Sequence, residues 1–107
     1  KTSIDQVCDY VDAHLTETIY LTSLEKIANL SARSLQHAFL KRFGCSPMAW
    51  VQERRLQLVH EHLLRADPED SVTQIATSCG FTNLGRFSLC YRHKYGEMPS
   101  ATLKRIR

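Results

Sequence analysis

The chain has 107 residues, of which 43% are apolar, and a formal net charge of +3. This length suffices for one compact domain or two very small linked ones, and it excludes a large enzyme with a deep cleft. No stretch approaches the ~20 consecutive apolar residues of a membrane span and no leader pattern opens the chain, so we expect a soluble protein. The first residue is Lys1 rather than Met, which we interpret as a product of processing or excision from something longer. Four cysteines without paired spacing predict reduced thiols and favour the cytoplasm.

The N-terminal part of the chain has the periodicity of amphipathic helices. Apolar side chains between Val7 and Leu15 predict a first helix over residues 3–16. The letters "TSLE" at 22–25 predict a capping box, with Thr22 as the N-cap, that opens a short second helix.

Two further helices are predicted before the middle of the chain. Ser31 is the predicted N-cap of a third, basic helix, "SARSLQHAFLKRF", and Gly44 is expected to end it in a left-handed conformation. Pro47 then suits the first turn of a long fourth helix. The polar "DPED" at 67–70 ends that helix and is the best internal boundary.

The second half of the chain repeats this order. "SVTQ" at 71–74 predicts a capping box, and Gly80 is expected to supply a positive φ at a turn. A second basic helix follows, capped by Thr82 or Asn83, and Pro99 precedes a short terminal helix. No alternating strand pattern is present, so the predicted fold class is all-α with about seven helices.

An internal repeat connects the two halves. Five residues recur at an offset of 52 positions, and an offset of 48 relates the helices that precede them. The pairs at 52 are Leu35 with Phe87, Phe39 with Tyr91, Phe43 with Tyr95, Gly44 with Gly96 and Pro47 with Pro99; the pairs at 48 are Ile27 with Ile75 and Ala28 with Ala76. Each copy is a helix, a turn, a basic helix, a glycine stop and a proline start, which predicts two helix-turn-helix units.

Basic charge follows the same repeat. Residues 31–44 and 80–96 contain arginine and lysine but no carboxylate. Two matched basic helices favour a polyanionic partner, and a helix-turn-helix places its second helix in the major groove of duplex DNA. An all-helical protein-interaction module that docks on an acidic partner or on RNA polymerase is the alternative. No catalytic arrangement, metal site or cofactor site is predicted, and an enzyme is not expected.

The motifs "RSLQHAFLKRFGCSP" and "IATSCGF", the latter followed by a basic helix and "GEMPS", resemble the DNA-binding domain of the AraC/XylS family of bacterial transcription regulators. The resemblance covers nearly the whole chain. It implies a domain over residues 1–107, with a first helix-turn-helix subdomain at 1–45, a linker helix at 46–66 and a second subdomain at 67–107. It also implies transcription activation, contact with RNA polymerase, a ligand-sensing domain in the parent chain, no membrane, and a cytoplasmic, nucleoid-associated location in bacteria.

The resemblance also implies which residues contact DNA. Those expected to read base edges are Arg33, Gln36 and His37 in the first unit, and Leu84, Arg86 and Leu89 in the second. Those expected to contact phosphates are Ser31, Ser34, Lys41 and Arg42, followed by Thr82, Asn83, Ser88 and Arg92. Because arginine and glutamine pair bidentately with guanine and adenine, whereas leucine meets only a thymine methyl, we expect the first unit to carry more sequence information.

The first unit has too few residues for its turn when aligned in this way. Seven positions separate Ala28 from Leu35, against eleven from Ala76 to Phe87, and the shorter segment contains no glycine. Either the first unit is distorted or residues are missing from the chain, and we favour missing residues between Ala28 and Ser31.

Overall fold

The computed structural model describes residues 2–106, which form seven α-helices and no β-strand. The predicted all-α class with seven helices is confirmed. The helices are α1 (Ser3–Ala13), α2 (Leu21–Ala28), α3 (Ala32–Phe43), α4 (Pro47–Leu64), α5 (Val72–Ser78), α6 (Leu84–Tyr95) and α7 (Pro99–Ile106).

The chain divides into two compact units, and the boundary falls inside α4, between Arg54 and Arg55. In unit 1, α2 packs against both α1 and α3. Apolar side chains from each of these helices and from the first half of α4 are buried there. They include Val7, Val11, Leu24, Ala28, Leu35, Phe39 and Val51. The division into two subdomains and a separate linker helix stays a prediction.

In unit 2, α5, α6 and α7 pack against one another, and the second half of α4 contributes to the same core. The core is continuous and rich in aromatic rings. Its buried members are Leu56, Val59, Leu63, Ile75, Ala76, Cys79, Phe81, Phe87, Tyr91 and Leu103.

The helix ends follow most of the predicted cap chemistry. Ser31 caps α3 by accepting a hydrogen bond from the Ser34 amide, and the capping box at Ser71 is present. Asn83, rather than Thr82, caps α6. Gly44 and Gly96 end α3 and α6 with φ of 77° at both positions, a conformation that residues with a Cβ adopt at a cost.

Two predictions about the start of the chain are wrong. The first helix ends at Ala13, three residues before the predicted limit. Thr22 does not cap α2, because the helix already begins at Leu21, and its N-cap, Tyr20, makes no side-chain cap bond. The Ser23 amide hydrogen-bonds to the Tyr20 carbonyl, so Thr22 lies within the first turn.

No residues are missing between α2 and α3, so that prediction is also wrong. Asn29 adopts the left-handed conformation at φ 55° and the Leu30 amide donates to the Glu25 carbonyl, which closes the turn without glycine. The predicted offset of 48 was a misalignment. Buried Leu24 and Ala28 correspond to buried Ile75 and Cys79, and left-handed Asn29 to Gly80, all at an offset of 51. The second turn is thus only one residue longer.

Candidate nucleic-acid interface

The outward face of α3 carries the residues predicted to read bases in unit 1. Leu35 and Phe39 are fully buried and hold the opposite face of the helix in the core. Arg33, Gln36 and His37 are exposed and line one shallow depression. The structure therefore brings these three side chains together on a face that a ligand can reach.

Leu40 completes the same depression and was missed by sequence reasoning. Its side chain is 48% exposed although it is apolar. It lies seven residues after Arg33, on the same face of the helix, so the helical spacing alone contained the signal. The face therefore combines polar side chains with one apolar side chain that a ligand can reach.

The residues of unit 1 expected to contact phosphates lie at the two ends of α3. Ser31 and Ser34 lie at its start, where the Ser31 hydroxyl donates to the Ser34 oxygen at 3.1 Å. Lys41 and Arg42 occupy its last turn. All four are exposed.

Arg42 is already engaged within unit 1. One of its terminal nitrogens lies 2.7 Å from an Asp5 carboxylate oxygen, and its guanidinium lies over the Phe43 ring. The Arg42 hydrogen bond, with further bonds from Thr2, lowers the pKa of Asp5 from 3.8 to about 2. The contact joins the start of α1 to the end of α3. An anion that binds Arg42 must therefore share it with Asp5.

The equivalent face of α6 is more apolar. Arg86 is exposed, and Leu89 is 67% exposed. Leu84 differs from the prediction in one respect, because it is half-buried and packs against the core of unit 2. A smaller part of the Leu84 side chain is thus available to a ligand than of Arg86 or Leu89.

The residues of unit 2 expected to contact phosphates also lie along α6 and at its start. Thr82, Asn83 and Arg92 are exposed, and Ser88 is half-buried. The Asn83 side-chain oxygen accepts from the Arg86 amide, so its NH₂ group is the part left to donate. DNA contact by the predicted residues of both units stays a prediction.

A hydrogen-bonded chain holds α6 in unit 2. His60 Nδ1 lies 2.9 Å from the Tyr91 hydroxyl, which donates to Thr102 at 2.9 Å; Thr102 in turn donates to Glu97. Because the tyrosine proton is used toward Thr102, His60 is the donor to Tyr91. Arg105 closes the chain at Glu97, 2.7 Å away.

The Glu97 carboxylate, which accepts the last of these hydrogen bonds, fixes the direction of donation from His60 to Glu97. The hydrogen bond from Thr102 and then that from Arg105 lower the pKa of Glu97, whereas burial raises the pKa of Tyr91. Glu97 therefore acts as a charged acceptor and the Tyr91 hydroxyl stays protonated. The His60 ring also stacks on Tyr95, with centroids 4.1 Å apart. These contacts join α4, α6 and α7 inside unit 2.

Metal binding and membrane spanning find no support in the part of the chain that the structure describes. No group of three or more histidine, cysteine, aspartate or glutamate side chains is placed to hold an ion between residues 2 and 106. None of the described helices combines the length and apolarity needed to cross a bilayer. The four cysteines are free thiols.

Comparison with known proteins identifies this pair of units. A family model described as a helix-turn-helix domain matches residues 24–105. The XylDLEGF operon transcriptional activator of Pseudomonas putida is 35% identical over 98% of this chain, and a probable thc operon regulatory protein of Rhodococcus erythropolis is 35% identical over 92%. This chain belongs to the AraC/XylS family. The predicted resemblance is thus confirmed.

Solved structures support the same assignment for the AraC/XylS fold. A probable AraC family regulator of Rhodopseudomonas palustris superposes with a TM-score of 0.91 at 39% identity, covering 98% of this chain and 97% of that one. The DNA-binding domain of AdpA, solved with a target DNA, shares the fold at a TM-score of 0.89 and 24% identity, covering 100% and 95%. The chain spans about a third of the length of the two curated relatives, which are named as regulators of operons.

Proposed function

We propose that this AraC/XylS chain is a sequence-specific, duplex-DNA-binding module of a bacterial transcription activator, in which α3 and α6 each enter a major groove. The observation that carries the proposal is the duplicated helix-turn-helix with an exposed second helix. In each unit that helix presents arginine on its outer surface, and its buried face fixes it to the core. A basic helix held in this way is what major-groove readout requires.

In this proposal, the residues divide by chemistry between base edges and phosphates. Arg33, Gln36 and His37 would read bases from α3, and Arg86 with Leu89 from α6, with a smaller contribution from Leu84. The phosphates would be contacted by Ser31, Ser34, Lys41, Arg42, Thr82, Asn83, Ser88 and Arg92. Positively charged and hydroxyl groups position the protein without reading sequence, whereas arginine and glutamine discriminate bases.

The duplication supports a bipartite target. Each unit contains one exposed basic helix, α3 in unit 1 and α6 in unit 2. Adjacent major-groove faces recur about every 34 Å, and one such helix suits each of two successive groove segments. We propose one half-site for each unit.

The remaining parts of the proposal rest on the relatives. The Pseudomonas putida proteins are named as activators, so activation through RNA polymerase is the proposed outcome of binding. Since the relative that is 35% identical over 98% of this chain is about three times as long, a ligand-sensing domain in the parent chain is the proposed second component. A regulator of this kind acts in the cytoplasm, at the nucleoid.

Selection from a randomised duplex library tests the proposal. We expect two short motifs about one helical turn apart to be enriched. The selected duplex is then titrated at several salt concentrations. Three cationic phosphate contacts, from Lys41, Arg42 and Arg92, correspond to a slope of log K against log salt of about −2.7.

A matched pair of variants localises the binding. Arg92→Ala should weaken binding to all sequences and reduce the salt slope by about 1. Arg65→Ala removes the same charge from an exposed position outside the proposed surface and should leave the slope unchanged. Salt-sensitive binding without any enriched motif would contradict sequence-specific recognition and favour an acidic protein partner.

A further inference from the structure

Gly85 has no structural reason to be glycine within unit 2. It is the second residue of α6 and has a helical backbone, unlike Gly44, Gly80 and Gly96, which have positive φ. A Cβ at this position would meet only the Asn83 side-chain oxygen at 3.7 Å, an ordinary contact. Glycine in a helix lowers stability relative to alanine. A binding partner that contacts α6 explains the glycine better than packing among the described residues does.

The position of Gly85 on α6 indicates which face of the helix this partner would contact. Gly85 and Leu89 are four residues apart and share one face of the helix, and both are exposed. At the offset of 52 they correspond to Arg33 and His37, two of the base-reading candidates in unit 1. Unit 2 thus has a gap in the side-chain surface next to a protruding apolar side chain.

Leu89 is poorly explained as part of the fold. It is 67% exposed, the largest value among the exposed large hydrophobic residues of the described chain. Leaving such a side chain in water forgoes the stabilisation that burial would give. In the major groove, the 5-methyl group of thymine is the distinctive apolar group that a base pair presents.

We propose that Gly85 and Leu89 together form a thymine-recognition site. The missing side chain at Gly85 lets the α6 backbone approach the edge of a base pair, and the approach brings Leu89 against the thymine 5-methyl group. The site rests on the proposed DNA binding by α6. Recognition here comes from close apolar contact, whereas Arg33 and Gln36 act through hydrogen bonds.

The first test separates stability from binding by adding one methyl group. Gly85→Ala should leave the melting temperature equal to or above that of the wild type, because alanine favours a helix and has room. Its affinity for the selected duplex should nevertheless fall at least about fourfold, the factor expected for losing the contact with one buried methyl. A purely structural glycine would give a parallel loss of stability and binding.

The second test removes the methyl group from the DNA. Each thymine of the selected duplex is replaced in turn by uracil, which keeps every hydrogen-bonding group. At one position the wild type should bind about fourfold more weakly, the factor expected for one buried methyl. Leu89→Ala should be insensitive to uracil at that position. Leu64→Ala, which truncates an exposed leucine on α4, should keep the full uracil effect.

The outcomes distinguish this site from the function on which it depends. If the wild type selects no duplex, the proposed function fails and the thymine site fails with it. If it selects a duplex but Gly85→Ala binds equally well, or no thymine responds to uracil in a Leu89-dependent way, the thymine site is overturned and DNA binding stands. Lower affinity of Gly85→Ala with a lower melting temperature would also overturn it.

Discussion

Side-chain chemistry distinguishes the outward faces of α3 and α6 at the scale of single residues. Arg33, Gln36 and His37 offer hydrogen-bond donors and acceptors on α3, whereas the corresponding face of α6 exposes Arg86 and the apolar Leu89. A bidentate hydrogen-bonded pair discriminates one base from the others by about 1–3 kcal/mol. Contact with one methyl group contributes about 0.8 kcal/mol. Under the proposed DNA binding, the two units would therefore have unequal capacity to specify sequence.

Truncating Gln36 should relax specificity more than truncating Leu89. For Gln36→Ala we expect discrimination at one base pair to fall by about 5- to 150-fold, since the amide is proposed to make a bidentate contact with adenine. For Leu89→Ala we expect about a fourfold loss at a thymine. Competitive binding to a panel of single-base variants of the selected duplex measures both.

The comparison needs a variant that loses side-chain volume at a residue outside the proposed DNA-contacting set. Leu64→Ala, at an exposed position on α4, serves this purpose and should leave discrimination unchanged. Equal losses for Gln36→Ala and Leu89→Ala would contradict the unequal division of sequence information between the units.

The sequence predicted which side chains are exposed better than it predicted which side chains pair with one another. The exposure of Arg33, Gln36 and His37 followed from the helical period around buried Leu35 and Phe39. The pairing of Asp5 with Arg42 did not follow, because a period describes one helix and not the packing of two. The turn at Asn29 was also missed, since asparagine adopts a left-handed conformation much less often than glycine.

At the scale of elements, the Asp5–Arg42 pair ties α1 to α3. The folded-state pKa of Asp5, about 2, lies below its usual 3.8. A lowered carboxylate pKa stabilises the folded state above the usual value, and the contribution disappears as the pH falls through the folded value. Stabilisation by this pair is therefore expected at neutral pH and not at about pH 2.

Asp5→Asn tests that contact through its pH dependence. At pH 7 the variant should melt at a lower temperature than the wild type, and the difference should shrink as the pH falls from about 4 to about 2. Thermal unfolding followed by circular dichroism measures it. Glu69→Gln, in the exposed loop before α5, should show no such convergence. A difference independent of pH would mean that the carboxylate charge is not what stabilises the contact.

The hydrogen-bonded chain through Tyr91 fixes α6 to α4 and α7. Tyr91→Phe keeps the buried ring but removes the hydroxyl between His60 and Thr102. We expect the free energy of unfolding to fall by about 1–2 kcal/mol. Urea denaturation measures the change, and Tyr10→Phe, in the first unit, should change stability by less than about 0.5 kcal/mol. An unchanged urea midpoint for Tyr91→Phe would show that the hydrogen bonds through Tyr91 do not stabilise α6.

The accuracy of the predicted helix boundaries depended on how strongly the local sequence specifies each helix end. Ends with glycine in a left-handed conformation, Gly44 and Gly96, were predicted from their sequence context. The start of α2 was not, because Thr22 and Glu25 satisfy the capping-box pattern while tertiary packing begins the helix earlier. A capping motif states what a side chain is able to do and does not fix where the helix begins.

At the scale of the whole molecule, the duplication was evident from the sequence but its register was not. Aromatic residues, glycine and proline marked the second helix of each helix-turn-helix, α3 and α6, at a constant offset of 52. The first helices, α2 and α5, are short and their buried positions are small or aliphatic, so an Ile-Ala pair gave a false match. Burial of Leu24 with Ile75, and of Ala28 with Cys79, provides the correct alignment.

The helix α4 is continuous through the boundary between the units, and it supplies Val51 to one core and Leu56 to the other. Helices shorter than about 12–15 residues are marginal in water without tertiary packing. If either unit unfolded alone, half of α4 would lose the core that supports it. Fraying of that half would then extend toward the half of α4 that packs in the other unit. We therefore expect the two units to unfold cooperatively, because loss of one core removes the tertiary support of half of α4 and lowers the stability of the other half.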